Sequence, residues 1–387
     1  MCENDRVNNA KLVKWAVSVR VLFSGLLLLC FALGACVQSV DPTPTLTHEP
    51  VETTAVLIAT PLPTVIPTSF PTATQIPSPT WPAASQPSPT TTLPPSATPD
   101  PYAQYSIKAL AARAKGGGEL EIVETLENND QFARYLITYP SDGLTIYGFM
   151  NVPHDGTDFP VALVLHGYVP PEEYETVAYT RRYADALVEA GYLVIHPNFR
   201  NYPPSDSGPD AFRVGFAQDV LNLIAIIREQ SQDPAGPLRR ADADNIHLWG
   251  HSMGGGVALR VITVNNAAYM KAAVLYGSMS GDERLNYGRI QQWSNNTRGS
   301  FELNAPPEAL AAISPIEHLD RITTPISIHH SYADERVPVE WSEDLCARLE
   351  ARQHPVECFF YNDAPHTFIP PWDDLFIRRY VNFFENN

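Results

Sequence analysis

A glycine-rich turn around Ser252 constrains the fold and chemistry of this chain more than any other stretch. Residues 246–256 have the sequence Ile-His-Leu-Trp-Gly-His-Ser-Met-Gly-Gly-Gly, in which an apolar run ends in Gly-x-Ser-x-Gly. The pattern predicts a buried strand, a sharp turn and a helix, with Gly250 and Gly254 where a Cβ would clash with nearby backbone. It places Ser252 at the apex with its Oγ exposed, and leaves the N–H of Met253 free at the helix N-terminus to bind an oxyanion. The alternative is a glycine-rich turn that carries an incidental serine.

The composition of the chain excludes several classes of partner. The chain has 387 residues, a formal net charge of −17 and 44% hydrophobic residues. Because so acidic a chain is repelled by phosphate backbones, no nucleic-acid partner is expected. No metal motif such as His-Glu-x-x-His is present, and the adjacent His329 and His330 would face opposite sides of a strand. Neither a metal nor a cofactor is therefore expected.

The first 36 residues have the features of a targeting segment. Lys11, Lys14 and Arg20 precede an apolar run over residues 21–33, which is short for a membrane span and fits the core of a signal peptide. The Leu-Gly-Ala-Cys that ends at Cys36 resembles the lipobox of bacterial lipoproteins. That resemblance implies cleavage before Cys36, acylation of the new N-terminal cysteine, and tethering on the outer face of the cytoplasmic membrane. The alternative is an uncleaved N-terminal anchor, which would also export and tether the rest of the chain.

A proline- and threonine-rich tract follows over residues 37–100. About a quarter of it is Pro and about a quarter Thr, and it contains no Lys or Arg. Proline blocks helix and interior strand, and the tract has too little apolar surface to offset the entropy of ordering. The sequence predicts a disordered, extended stalk with a reach of up to about 190 Å, whose glycosylation stays open.

From residue 101 the chain changes to the pattern of a globular domain, predicted to extend over residues 101–387. Strands are predicted over residues 132–139, 144–152, 161–165, 192–196, 245–249, 272–276, 325–329 and 356–361. Helices are predicted over residues 102–114, 172–190, 211–229, 339–350 and 373–384, with another after the serine turn. Strands that alternate with helices predict an α/β protein with a mainly parallel sheet and helices on both faces. Because the first two strands form a hairpin and a serine turn lies in the middle, the pattern predicts the α/β-hydrolase fold.

A serine hydroxyl needs a base to take its proton and an acid to orient that base. In the predicted fold these follow the serine in the order acid, then histidine. His366 comes just after the last strand, where a loop can reach back over the sheet, so we expect it to be the base. Asp334 follows the strand before it and is the expected acid, with Glu335 and Asp363 as its rivals.

A second oxyanion donor is expected in the loop after the first buried parallel strand. That loop begins His166-Gly167-Tyr168, and Gly167 permits close backbone approach, so the amide of Tyr168 is the expected donor beside that of Met253. The alternative is a simple strand-end turn. His166 and His251 are expected to support the site rather than to react.

These stretches resemble, in their order, the catalytic domain of the prolyl oligopeptidase family. The matching stretches are residues 144–153, His166-Gly167, residues 250–255, Ser314-Pro315, residues 333–338 and His366. The resemblance covers roughly residues 130–387 and implies Ser252, Asp334 and His366 as a catalytic triad that hydrolyses peptide or ester bonds. One departure is that a stalk, rather than the β-propeller usual in the family's peptidases, precedes the domain, so their preference for short proline-containing peptides does not carry over. Dienelactone hydrolases share the outline but use a cysteine nucleophile, where this chain has Ser252.

Two further features stay open at the level of sequence. Residues 277–313 form an insertion that is either a small lid over the site or a surface excursion. Cys346 and Cys358 either form a disulfide or remain free thiols. The sequence therefore predicts an exported, membrane-tethered serine hydrolase whose substrate is a small ester or peptide. The alternatives are a carboxylesterase of broad specificity and a catalytically silent surface-binding module.

Overall fold

A nine-stranded sheet forms the centre of the structure, a computed structural model in which residues 100–387 are described. In chain order the strands are β1 Glu121–Asn128, β2 Phe132–Ser141, β3 Leu144–Pro153, β4 Phe159–Leu165, β5 Leu193–Pro197, β6 Ala241–His251, β7 Met270–Tyr276, β8 Ile326–Ser331 and β9 Val356–Tyr361. Their order across the sheet is β1-β2-β3-β5-β4-β6-β7-β8-β9. Antiparallel pairing joins β1 to β2, β2 to β3 and β3 to β5, and every later pair is parallel. The predicted hairpin and mainly parallel sheet are confirmed.

Helices pack on both faces of this sheet. They are α1 Ile107–Ala112, α2 Arg181–Glu189, α3 Val214–Gln230, α4 Met253–Val264, α5 Glu283–Trp293, α6 Ser300–Leu303, α7 Pro307–Ile313, α8 Glu340–Ala351 and α9 Trp372–Glu385. Residues of α3, α4 and α8 belong to one apolar core, and residues of α2 and α9 belong to the other. Successive side chains of β6 supply both cores, because Leu248 lies in the first and Trp249 stacks on Tyr183 in the second. This three-layer arrangement is the α/β-hydrolase fold that the sequence predicted.

The segments before and after Cys36 that were predicted as signal peptide and stalk, up to residue 99, lie outside the described residues. From residue 100 onward, no helix combines the length and the apolar character that crossing a bilayer needs.

The helix predicted over residues 172–190 is wrong in its first half. A 3₁₀ turn covers Pro171–Glu173, and only α2 is helical thereafter. Between them, the Tyr174 hydroxyl lies 2.8 Å from Nε2 of His196, and the Tyr179 hydroxyl lies 2.7 Å from Nδ1 of His251. These contacts with the ends of two strands hold the segment in an irregular path, overriding its local helical pattern.

The helix predicted over residues 211–229 is also interrupted near its start. Phe212 and Arg213 have positive φ angles of 54° and 55°, so a 3₁₀ turn and α3 meet at a sharp change of direction. Similarly, the helix predicted over residues 102–114 is a 3₁₀ turn followed by α1, because Ser106 is extended and its Oγ accepts from the Ala109 amide.

The first described residues pack against the insertion over residues 277–313. The Tyr102 ring lies 5.3 Å from that of Phe301, and its hydroxyl reaches the Phe301 carbonyl at 3.5 Å. The Tyr105 ring lies 5.3 Å from that of Phe212, which itself lies 6.1 Å from Phe301. One aromatic cluster therefore joins the start of the domain, the start of α3 and the insertion.

A disulfide bond joins Cys346 in α8 to Cys358 in β9. The sequence left open whether these cysteines form a disulfide or remain free thiols, and in the structure they form the disulfide. It connects the helix that follows Asp334 with the strand that leads to His366.

Candidate active site

Ser252 occupies a strained turn between β6 and α4. Its backbone angles are φ 55° and ψ −116°, which a non-glycine residue adopts only at a cost in free energy. A Cβ on Gly250 would lie 2.8 Å from Cα of Gly255, and one on Gly254 would lie 2.6 Å from the His166 carbonyl oxygen. The strand, tight turn and helix predicted around Ser252 are confirmed, as is the reason for the two glycines.

His366 and Asp334 form a buried hydrogen-bonded pair. Nδ1 of His366 lies 2.7 Å from Oδ2 of Asp334, and the two side chains are 7% and 2% exposed. Because a carboxylate can only accept, Nδ1 carries the proton, and Nε2 of a neutral ring is left as an acceptor. Among the described residues Nε2 has no hydrogen-bond partner, so it is available to take a proton.

Asp334 has more hydrogen-bond donors than this histidine alone. Nε2 of His330 lies 3.1 Å from the same Oδ2, and Oδ1 accepts from the amides of Arg336 and Val337, each at 2.8 Å. Burial alone would raise the pKa of the Asp334 carboxyl. The hydrogen bonds from His330 and His366 lower the pKa by more than burial raises it, so it lies below its ordinary range. Asp334 is therefore anionic at neutral pH.

The rival acids lie elsewhere. Oε2 of Glu335 accepts from the backbone amide of His366 at 3.0 Å rather than from its ring. Asp363 is exposed and makes no hydrogen bond to His366 in residues 100–387. Of the three carboxylates considered, the structure brings only Asp334 to the imidazole.

The Asp334–His366 pair lies beside the turn that carries Ser252. The His366 ring is 4.6 Å, centroid to centroid, from the ring of His251, the residue before Ser252. The Ser252 amide donates to the carbonyl of Tyr276, and a Cβ on the next residue, Gly277, would lie 3.3 Å from the His366 ring. No hydrogen bond joins Ser252 Oγ to His366 Nε2 within the described chain. In ligand-free sites that bond is commonly long and tightens when substrate binds.

Two amides lie free near Ser252. A Cβ on Gly167 would meet the Tyr179 hydroxyl and would lie 3.1 Å from Cβ of Ser252, so only glycine lets this loop approach the serine. In the described chain the N–H groups of Tyr168 and Met253 donate to no loop, cap or side-chain acceptor. The structure therefore brings the loop that carries Tyr168 close to Ser252, and Met253 follows Ser252 directly at the start of α4.

The two supporting histidines are buried as expected. His166 is fully buried, with Nε2 2.8 Å from the Asn198 carbonyl oxygen. The His251 ring lies between two partners: its Nδ1 contacts the Tyr179 hydroxyl, and its Nε2 lies 3.1 Å from the carbonyl oxygen of His366. Burial, together with the neighbouring His366, lowers the pKa of His251 well below its ordinary value, so this ring stays neutral.

A cavity of about 850 Å³ opens beside Ser252. Tyr168 and Met253 line it together with residues of the insertion, among them Tyr287 and Trp293 from α5. The insertion thus forms a wall of the cavity, as the lid interpretation predicted. Within residues 100–387 the only group with metal-like spacing is Cys346, Glu350 and Cys358, two of which are in the disulfide.

Two family models match overlapping stretches of the chain that contain the residues of this site. The model of the prolyl oligopeptidase family matches residues 236–387, which contain Ser252, Asp334 and His366. The model of the alpha/beta hydrolase fold matches residues 160–306. The chain carries a serine hydrolase domain of the prolyl oligopeptidase type.

Relatives of this hydrolase include proteins described as peptidases. It is 22% identical over 256 residues to the uncharacterized peptidase YtmA of Bacillus subtilis, covering 65% of this chain and 93% of that protein. It is also 22% identical over 249 residues to dipeptidyl aminopeptidase BIII of Pseudoxanthomonas mexicana, but covers only 34% of that protein and 59% of this chain.

Solved structures with a similar fold include an esterase and a peptidase. Acetyl xylan esterase 1 from Thermoanaerobacterium sp. superposes with a TM-score of 0.53 at 17% identity, over 73% of the hydrolase chain and 94% of the esterase. A puromycin-hydrolyzing peptidase from Mycobacterium tuberculosis superposes with a TM-score of 0.52 at 19% identity, over 67% of this chain and 40% of the peptidase. At these levels of sequence identity, the structural similarity establishes only that this chain shares their fold.

Sequence reasoning missed three contributors to the site of the hydrolase. Tyr179 falls within the helix predicted over residues 172–190, and the sequence suggests no role at the site for His330 and none for Glu335 except that of a rival acid. The sequence feature that could have indicated His330 is the Ser331-Tyr-Ala-Asp turn after β8. Such a turn brings Asp334 back beside His330, the residue four positions before it.

Proposed function

We propose that the chain hydrolyses small esters and peptides through an acyl-enzyme on Ser252. His366 is the general base and Asp334 the acid that orients it. The observation that carries the proposal is the buried Asp334–His366 pair beside a strained serine that opens into a cavity. A surface-binding module has no need of a strained serine and an ordered acid–base pair in one place.

The reaction follows from the positions of these groups. Oγ of Ser252 attacks the substrate carbonyl while its proton passes to Nε2 of His366, and Asp334 stabilises the imidazolium. The amides of Tyr168 and Met253 donate to the oxyanion of the tetrahedral intermediate. His366 then protonates the leaving alcohol or amine, and water releases the acyl group by the same steps.

Esters are the substrates for which we expect turnover to be most easily measured. A phenoxide or alkoxide leaves without strong protonation, whereas an amine needs His366 well placed as an acid. The described relatives and neighbours include both peptidases and an esterase, which supports a site that admits both bonds. We expect kcat/KM for p-nitrophenyl butyrate to exceed that for a prolyl p-nitroanilide, with Ser252→Ala as the blank for each. Efficient anilide cleavage with negligible ester turnover would instead indicate a dedicated peptidase.

We also propose that Cys36 is acylated and tethers the enzyme to the outer face of the cytoplasmic membrane. The support is the Leu-Gly-Ala-Cys motif after an apolar run of signal-peptide length. In a bacterial host, Cys36→Ser should abolish incorporation of radiolabelled palmitate and shift the protein out of the membrane fraction. Cys30→Ser, inside the apolar run, is the matched control and should keep the label. A mature N-terminus elsewhere, without an acyl group, would contradict the proposal.

A further inference from the structure

Tyr179 connects two parts of the active site through His251. The Tyr179 hydroxyl lies 2.7 Å from Nδ1 of His251, and it also packs against Gly167, where a Cβ would clash with it. On the other side of the His251 ring, Nε2 lies 3.1 Å from the backbone carbonyl oxygen of His366. One hydroxyl and one ring therefore form a bridge from the oxyanion-binding loop at Gly167 to the proposed general base.

The donors and acceptors of this bridge are fixed by its chemistry. A carbonyl oxygen can only accept, so Nε2 of His251 carries the proton that faces His366. Burial, followed by the neighbouring His366, lowers the pKa of His251 well below its ordinary value, so the ring is neutral and its Nδ1 can only accept. Burial raises the pKa of the Tyr179 hydroxyl, which therefore keeps its proton and donates it to Nδ1. Tyr179 thus fixes the tautomer of His251 that donates to His366.

Packing holds the His251 ring in the orientation that the bridge needs. The ring stacks on that of Tyr276, with 4.1 Å between the centroids and 22° between the planes, and lies 4.6 Å from the His366 ring. His251 is fully buried. A buried ring nitrogen that lost the Tyr179 hydroxyl would be left without a donor, which is costly.

The bridge reaches the backbone of His366 itself. Asp334 accepts from the His366 ring, and Glu335 accepts from the His366 amide at 3.0 Å. The contact from His251 holds the carbonyl of the same residue, and it is the one that continues to the loop at Gly167. Because proton transfer from the nucleophile is sensitive to displacements of about 1 Å, loss of this contact should slow the reaction.

We propose that Tyr179 and His251 are positioning residues for the reaction. Their hydrogen-bonded bridge keeps the base His366 and the loop at Gly167 at the separation that the transition state requires. This rests on the proposed hydrolysis at Ser252. Neither residue of the bridge exchanges a proton with the substrate, and both act through the geometry of His366.

Removing one hydroxyl tests the bridge. In Tyr179→Phe the ring stays and Nδ1 of His251 loses its donor. We therefore expect kcat for p-nitrophenyl butyrate to fall about 10- to 30-fold, with KM changed by less than about twofold. The values of kcat are expressed per site titrated to completion with a fluorophosphonate, so the fraction of folded enzyme cancels.

Tyr174→Phe is the matched control for this change. Tyr174 lies in the same segment as Tyr179, and its hydroxyl lies 2.8 Å from Nε2 of His196, another buried histidine. The control removes the same group from the same kind of partner, away from the base. It should keep kcat within about twofold of the wild type.

Two amides at position 251 separate positioning from packing. Glutamine can place its amide nitrogen near the position of Nε2 and donate to the His366 carbonyl, whereas the amide of asparagine reaches only the position of Nδ1. His251→Gln should therefore keep kcat within about tenfold of the wild type, and His251→Asn should lose about 100-fold. A ring needed only for packing would make the two losses equal.

Three results would overturn the positioning role while hydrolysis at Ser252 stood. They are equal kcat in Tyr179→Phe and Tyr174→Phe, a rise in KM at unchanged kcat in Tyr179→Phe, and equal losses in the two variants of His251. Absence of ester hydrolysis in the wild type, with no labelling of Ser252 by the fluorophosphonate, would overturn the proposed function itself.

Discussion

Replacing Ser252 by alanine is expected to lower kcat for p-nitrophenyl butyrate by about 10⁴- to 10⁶-fold. The proposed reaction forms a covalent bond to Oγ, and without it only the amides of Tyr168 and Met253 and the cavity remain to assist attack by water. The same change should abolish labelling by a fluorophosphonate probe, which reports the nucleophile without requiring a known substrate. The fold should persist, because alanine removes only the hydroxyl of a residue that lines the cavity and keeps the turn.

Ser280→Ala is the matched control for this experiment. Ser280 and Ser252 are both 9% exposed, but Ser280 Oγ accepts from the Asp282 amide and lies outside the cavity lining. It should retain both probe labelling and ester turnover. Equal labelling of the wild type and Ser252→Ala would assign the nucleophile to another residue.

Replacing Asp334 by asparagine is expected to lower kcat by about 10⁴-fold with little change in the backbone. An asparagine can offer its amide N–H to the imidazole, which would favour the tautomer with its proton on Nε2. That nitrogen could then no longer accept the proton of Ser252. The change also removes the carboxylate that compensates the imidazolium and accepts from His330. The measurement is kcat on p-nitrophenyl butyrate, with circular dichroism as the check on folding.

Glu335→Gln separates the two neighbouring carboxylates. A glutamine can still accept from the His366 amide, so the loss in kcat should be about tenfold or less. If Glu335→Gln were as damaging as Asp334→Asn, the acid would have to be reassigned to Glu335.

The elements that the sequence predicted well are those whose side chains repeat a simple pattern. Hairpin strands β2 and β3 alternate, and β4, β6 and β7 are continuous apolar runs between polar turns. Strand β1 went unpredicted because nearly all of its residues are exposed and two irregularities in its pairing, near Ile122 and Thr125, break the alternation. An exposed, bulged edge strand gives no two-residue period to detect.

The wrong helix boundaries have a different cause. Residues 174–180 contain no Gly or Pro that would end a helix. Tyr174 and Tyr179, however, form hydrogen bonds to histidines at the ends of β5 and β6. The positive φ angles of Phe212 and Arg213 were equally invisible, because neither is a glycine. In both cases tertiary contacts decide the backbone, and a local pattern does not contain them.

The proposed catalytic residues could be found from the sequence because the fold fixes the order of the ends of its strands. Which of two adjacent carboxylates meets the imidazole is decided by the turn after β8, where Asp334 accepts from amides two and three residues ahead. The bridge that begins at Tyr179 depends on His251, 72 residues away. Such a chain of donors and acceptors can be recognised only in three dimensions.

The aromatic contacts of Tyr102 and Tyr105 have a mechanical consequence. These are nearly the first residues of the domain, and their rings rest on Phe301 and Phe212 rather than on the sheet. Tension transmitted along the preceding chain would therefore reach the insertion and Phe212 before any strand bore load. The start of the domain and the insertion that lines the cavity share one aromatic cluster, so a force applied at Tyr102 would act on the cavity wall first.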